Sequence, residues 1–114
     1  MAYNEYLADR VRPRLKGKGF VEEKKMMGGL IFMVNGKMCI GIMFDKKTEE
    51  DKLMVRVGKL NYEELLNKPG SSPMDFTGKP SRGFLFVGPD GFDNENDLDF
   101  WVAKALEFNT LLNT

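Results

Sequence analysis

A chain of 114 residues is long enough to bury one core without disulfides or a structural metal, so residues 1–114 are expected to form a single domain. Lysine plus arginine and aspartate plus glutamate number 17 each, so no global field draws the molecule towards nucleic acid or an anionic membrane. Histidine is absent and Cys39 is the only cysteine, which excludes Ser-His-Asp and Cys-His catalysis and the usual zinc sites and leaves no expected metal or cofactor.

Asn4 is suited to cap a first helix, and Tyr3, Leu7, Val11 and Leu15 recur at i+4 along its buried face. Pro13 lacks the N–H that would bond the carbonyl of Asp9, which predicts a kink or break there, with Gly17 or Gly19 ending the element. Arg10, Arg12, Arg14, Lys16 and Lys18 stand at every second position, and with Lys24 and Lys25 they form the only basic cluster. It reads either as a phosphate-contacting patch or as solvated cations at a helix C-terminus, where the dipole favours each by about 0.3–1 kcal/mol. A spacing of two scatters side chains around a helix, and no aromatic residues interleave to stack on bases, so the second reading comes first.

From Phe20 the period turns to strand, over Val21–Met27, Leu30–Val34 and Lys37–Phe44. Asn35-Gly36 between two apolar runs predicts a type I′ hairpin, because both central residues need positive φ. Gly28-Gly29 lacks the Gly-Lys-Ser/Thr ending and leads into a strand, so it reads as a turn and not a phosphate loop. Met26, Met27, Met33, Met38 and Met43 make the sheet methionine-rich; Met fills irregular cores and strand alternation would bury about half of them, so core is favoured over an adaptable groove. Cys39, inside the third strand, is expected to be a small, buried, inert hydrophobe. A lone thiol, no secretory h-region and no bilayer-length apolar run make a reducing, cytoplasmic setting the default expectation, without a membrane partner.

Asp45 to Asp51 is a solvated connection, and Leu53, Val55 and Val57 alternate with Met54 and Arg56 in a fourth strand closed by Gly58. Asn61 and Glu64 form a capping-box pattern, with Leu60 and Leu65 as a hydrophobic staple, opening a second helix that Pro69-Gly70 stops. Ser71 to Arg82 is a long loop of the kind that can carry function, with Met74 and Phe76 alternating as a short strand or anchor. Arg56 and Arg82 beside it are the candidate anion contact. Gly83–Val87 is the fifth main strand, ended by a turn at Pro89-Asp90-Gly91.

Asp93 or Asn94 caps a last helix whose buried stripe is Leu98, Trp101, Val102, Ala105, Leu106 and Leu112. Asp93, Glu95, Asp97 and Asp99 crowd its first turns, where the dipole stabilises them, and nothing raises their pKa for acid–base work. Phe100, Phe108 and Leu111 leave an apolar surplus that either packs under the first helix or forms a homodimer contact.

Helix, three or four antiparallel strands, short helix, one or two strands and long helix imply an α+β sandwich of two layers. In that order, Lys25-Met26-Met27-Gly28-Gly29, Phe32-Met33-Val34-Asn35-Gly36, Met54-Val55-Arg56-Val57-Gly58, Pro73-Met74-Asp75-Phe76-Thr77-Gly78-Lys79-Pro80 and Trp101-Val102-Ala103-Lys104-Ala105-Leu106 resemble the N-terminal domain of the TfoX/Sxy competence regulators. The likeness covers nearly the whole chain. It implies an α-β(3)-α-β(2)-α fold shared with secretion-chaperone-like domains, and it brings no catalytic residues. Family members commonly read Met-Phe-Gly-Gly where this chain has Met26-Met27-Gly28-Gly29, an exchange between large apolar side chains that is expected to leave the packing intact. Full-length regulators of this type add a C-terminal helical domain that the sequence to Thr114 does not include, so the competence role does not carry over with the resemblance.

Three functions are open to such a chain. The first is a small, non-enzymatic regulatory module that engages a protein partner. The second is direct nucleic-acid binding through Arg10, Arg12, Arg14, Lys16, Lys18, Lys24 and Lys25. The third is a ligand-binder or enzyme using the Ser71 to Arg82 loop, which predicts a concave pocket lined by Arg56 and Arg82.

Overall fold

The computed structural model describes residues 3–26, 28–74 and 83–112. The elements are α1 (Glu5–Leu15), β1 (Val21–Met26), β2 (Gly29–Val34), β3 (Lys37–Asp45), β4 (Glu50–Arg56), α2 (Lys59–Leu65), β5 (Ser71–Pro73), β6 (Phe84–Val87), α3 (Pro89–Phe92) and α4 (Glu95–Leu112). The six strands form one sheet in the order β1-β2-β3-β4-β6-β5, with every pairing antiparallel. This is an open-sheet α+β fold. Four strands precede α2, one more than the three of the family order.

Asn35 and Gly36 have φ of 52° and 80°, and Val34 pairs with Lys37 across them, the tight hairpin that the Asn-Gly pair predicts. Further along this hairpin the register slips, Phe32 facing Ile40 while Met33 faces Met38. The extra residue on β3 is Cys39. A bulge of this kind breaks strand alternation, which is how the neighbours Cys39 and Ile40 both join the core on the helix side of the sheet.

That core joins Leu7, Val11 and Leu15 of α1 and Leu98, Trp101, Val102 and Ala105 of α4 to one face of β2, β3, β4 and β6. On the opposite face Ile31, Met43, Met54 and Met74 form a second buried cluster, flanked by half-buried Met33, Met38, Phe84 and Phe86. Most of the methionines expected in the core pack there. Met26 is exposed, and Met27 lies outside the described residues.

Cys39 is fully buried, and burial pushes its thiol up from 9.0 to about 12, against the opposing charge of Arg56. At pH 8 this leaves roughly a thousandfold less thiolate than in the unfolded chain. Labelling by a thiol reagent is therefore expected to track global unfolding, and rapid labelling of the native protein would show that Cys39 is reachable. Because the unfolded thiol ionises first, stability falls as pH rises from about 9 towards about 12, by up to about 1.4 kcal/mol per pH unit.

Three local expectations are corrected. Helix α1 continues through Pro13 to Leu15, so of the expected kink or break the break does not occur, and the Arg14 guanidinium donates to the Arg10 carbonyl at 2.6 Å in the same turn. Helix α2 begins at Lys59 after Gly58, with no side-chain cap, which places Asn61 inside its first turn and leaves Leu60 98% exposed. The capping box and the staple do not form; Tyr62 and Leu65 are the buried residues, and the Ser71 hydroxyl lies within 3.0 Å of the carbonyls of Leu65, Leu66 and Lys68 at the other end. Pro89-Asp90-Gly91 opens the one-turn helix α3 in place of a simple turn, with Pro89 in the N-terminal position that proline favours.

Both long helices are capped by asparagine. The Asn4 side-chain oxygen accepts from the backbone N–H of Tyr6 and Leu7 at 2.8 and 3.2 Å, and its amide donates to Asp51 of the β3–β4 hairpin at 2.8 Å. Of the two candidates for α4 it is Asn94 that caps, accepting from the Asn96 N–H at 2.7 Å.

Candidate functional site

The basic cluster divides in two. Arg10 pairs with Glu95 at 2.5 Å and also donates to the carbonyls of Phe92 and Asp93. Arg12 holds Glu5, Asp9 and Glu23, and Arg14 holds Glu95 and Asp99. These arginines tie α1 to β1 and to the first turns of α4. Two of the acidic residues that crowd the start of α4, Glu95 and Asp99, are thus partners for a neighbouring helix, beyond what the dipole alone requires. Hydrogen bonds from Arg14 and Arg10 hold the Glu95 carboxyl below its usual range, so this tie persists above the ordinary carboxylate pKa and is lost as pH falls through the depressed value. Lys16, Lys18, Lys24 and Lys25 lie exposed, two beyond the end of α1 and two on the edge strand β1.

Arg56 is placed differently. It ends β4 half-buried, its guanidinium 5.2 Å from the ring centre of Phe84 on β6 and 5.6 Å from that of Phe108 on α4. Stacking of this kind is attractive because the aromatic faces are electron-rich. Its hydrogen bond is a long one, from Nη1 to the carbonyl of Met38 at 3.5 Å. None of the ion pairs among the described residues includes it.

A cleft of about 330 Å³ opens beside this cation, bounded by Arg56, Gly58, Leu60, Phe84, Phe108 and Leu111. Its volume lies at the lower end of the range for ligand pockets. Leu60 and Leu111, 98% and 62% exposed, stand on its rim. Lys59 adds a second cation, and among the described residues the lining contains no acidic one. A cation backed by aromatic rings within apolar walls can hold an anion more strongly than the same cation in open water.

Gly58 shapes this cleft. Its φ of 83° and ψ of 160° fall in a region that side chains other than glycine's essentially do not enter. A Cβ there would also lie 2.4 Å from Cε1 of Phe108. The absence of a side chain therefore both turns β4 into α2 and lets the Phe108 ring approach the backbone.

A cleft is present beside Arg56, but the expected pocket, lined by Arg56 and Arg82 and built on the Ser71 to Arg82 loop, is not tested by it. Arg82 and most of the long loop, residues 75–82, lie outside the described residues. Sequence reasoning does not assign Leu60, Phe84 and Phe108 to a site. The signal available is the apolar surplus on the last helix, which places Phe108 and Leu111 outside a single buried stripe. Among the described residues there is no group of three or more histidine, cysteine, aspartate or glutamate residues able to hold a metal ion, and no helix is long and apolar enough to cross a membrane.

The family model for the TfoX N-terminal domain matches residues 14–109, most of the chain. The chain belongs to the TfoX N-terminal domain family. That match takes in every element from the end of α1 to the last turns of α4, including nearly all the residues that bound the cleft. A crystal structure of a protein from Pseudomonas syringae has a similar fold, with a TM-score of 0.63 and 13% identity over 88% of this chain and 96% of that one. At that identity the likeness concerns the fold alone. No curated protein sequence matches this TfoX-type domain.

Proposed function

We propose that this TfoX-type domain is a small, non-enzymatic regulatory module that works by binding a protein partner, and that the cleft between α2, β6 and the end of α4 is where it does so. The observation that carries the reading is the pairing of Leu60, exposed over 98% of its surface, with a recess whose walls are Phe84, Phe108 and Leu111. A leucine held out on a short helix beside an apolar hollow matches the anatomy of an interaction surface, where a few apolar anchors carry most of the binding energy. The non-enzymatic part of the reading rests on residue chemistry: the chain has no histidine, and its one thiol is buried and protonated.

Direct nucleic-acid binding is the weaker reading, because three of the seven cations named for it already hold carboxylates within the fold. Membership of the family supports a regulatory setting. The process regulated, the setting in the cytoplasm and any self-association belong to this proposal too.

The test is capture from a lysate of the source cell, run in parallel with the native domain and with Leu60→Asp. The exposed position lets the variant fold with unchanged melting. The native domain is expected to retain a stoichiometric partner that the variant loses by tenfold or more, on the order of 1.4 kcal/mol. Equal capture by both would remove the cleft from the reading. Retardation of DNA at low salt that disappears when Lys16, Lys18, Lys24 and Lys25 are neutralised would replace the reading with the nucleic-acid one.

A further inference from the structure

If the cleft is a protein-binding site, as proposed above, its lining also defines the chemistry of its occupant. Each of the other described arginines, Arg10, Arg12 and Arg14, holds at least one carboxylate within the fold. Arg56 is the exception among the described residues: half-buried, stacked on two rings, and given one long hydrogen bond to a backbone carbonyl. A guanidinium has five N–H donors in a planar fork, so donors remain for a further acceptor. Partial burial removes water from such a cation without supplying an anion in return, which leaves the site electrostatically unfinished. Among the described residues the lining adds Lys59 and no acid, so the unfinished charge there is positive.

From this we infer that Arg56 is a specificity determinant that receives a carboxylate of the partner, and that the occupant is a peptide segment bearing an aspartate or glutamate next to a bulky apolar side chain. The two halves of that motif correspond to the two halves of the site. The carboxylate lies along the free edge of the guanidinium, and the neighbouring apolar side chain enters the hollow between Phe84, Phe108 and Leu111. A volume of about 330 Å³ accommodates a side chain or two and not a folded element. The exposed Leu60 on the rim provides apolar contact outside the hollow, which a chain continuing past the cleft can use and a small free acid cannot. The lining therefore favours a peptide over a free carboxylic acid.

The experiment is an amide-resolved NMR titration of the native domain with three hexapeptides: one with a central Phe-Asp, one with Phe-Asn and one with Ala-Asp, all blocked at both ends. The Phe-Asp peptide is expected to shift the amides of Gly58, Lys59, Leu60 and Leu111 saturably. The Phe-Asn and Ala-Asp peptides are each expected to bind about tenfold more weakly. Arg56→Gln is expected to abolish the preference for aspartate over asparagine while keeping the preference for phenylalanine over alanine. Arg56→Lys retains part of the aspartate preference, and both variants are checked for an unchanged fold by their amide spectra.

Equal affinity for the Phe-Asp and Phe-Asn peptides would overturn the inference, as would shifts confined to another surface. Tighter binding of 3-phenylpropionate than of the Phe-Asp peptide would also overturn it, assigning the cleft to free acids. These failures are distinct from failure of the interaction reading. A partner captured in a Leu60-dependent manner, with no aspartate preference in the titration, leaves the protein-binding cleft standing and removes only the role of Arg56.

Discussion

Trp101→Ala is expected to cost about 3–5 kcal/mol, the range for deleting a large aromatic side chain from a packed core. Trp101 is 2% exposed, among the largest of the fully buried side chains, and sits in the helix-side cluster that joins α4 to the sheet. Its ring meets that of Phe100 edge-on, with centroids 5.2 Å apart and an interplanar angle of 85°, a geometry in which a positive edge faces a negative face. It also reaches α3, where a Cβ on Gly91 would lie 3.5 Å from its Nε1. Small domains are stable by roughly 5–15 kcal/mol in all, so the loss is a third or more of the total for most values in that range. Urea unfolding followed by far-ultraviolet circular dichroism reads it, since the substitution removes the chain's only tryptophan fluorophore. The midpoint should fall with little change in slope. A loss of less than about 1.5 kcal/mol would mean that neighbouring side chains collapse into the space and that α4 is held elsewhere.

Leucines and the tryptophan at helical spacing are legible in the sequence because period alone assigns them to one face: Leu98, Trp101, Val102 and Ala105 are buried, while Leu106 and Leu112 of the expected stripe are half-buried. The Asn35-Gly36 hairpin is legible for a related reason: its signal is local, set by two residues that tolerate positive φ. The start of α2 is also a local matter, yet two local signals compete there. The capping pattern at Asn61 and Glu64 points to one start, and the backbone of Gly58, turned with φ 83°, sets another, earlier one. Propensity yields to a turn required by the chain's path from β4 across to α2.

The site is legible only in part, for reasons of distance along the chain. Arg10 meets Glu95 across 85 residues and Arg14 meets Asp99 across another 85, so the spacing-of-two pattern in α1 can show a cluster of cations but not that three of them are internally neutralised. Arg56 stands out as a candidate anion contact from its place beside the long loop. Its two rings come from β6 and from the far end of α4, and no spacing in the sequence announces that they converge. The capping pattern makes Leu60 an inward staple. It faces solvent because the earlier start of α2 rotates it away from the core, so the misplaced cap and the unforeseen rim of the cleft share a single cause.

Gly58→Ala tests that cause directly, and its expected cost is about 2–6 kcal/mol from two separable sources. The first is backbone strain: φ 83° with ψ 160° costs a non-glycine residue about 1–3 kcal/mol. The second is overlap: the new methyl would lie 2.4 and 2.5 Å from Cε1 and Cδ1 of Phe108, and forcing a packed ring aside costs about 1–3 kcal/mol more. Only the overlap disappears when Phe108 is truncated as well. The double variant Gly58→Ala with Phe108→Ala should therefore lose less stability than the sum of the two single variants, with a coupling of about 1–3 kcal/mol in urea unfolding. Strict additivity would mean that the ring yields at no cost and that strain acts alone. A loss below about 1 kcal/mol for the alanine variant would show that the β4–α2 junction tolerates a side chain. In the expected case Phe108 moves off the Arg56 guanidinium, so the capture of a partner should weaken in Gly58→Ala even at temperatures where the variant remains folded. A junction glycine buried beneath the cleft thereby couples the stability of the fold to the shape of the proposed binding surface.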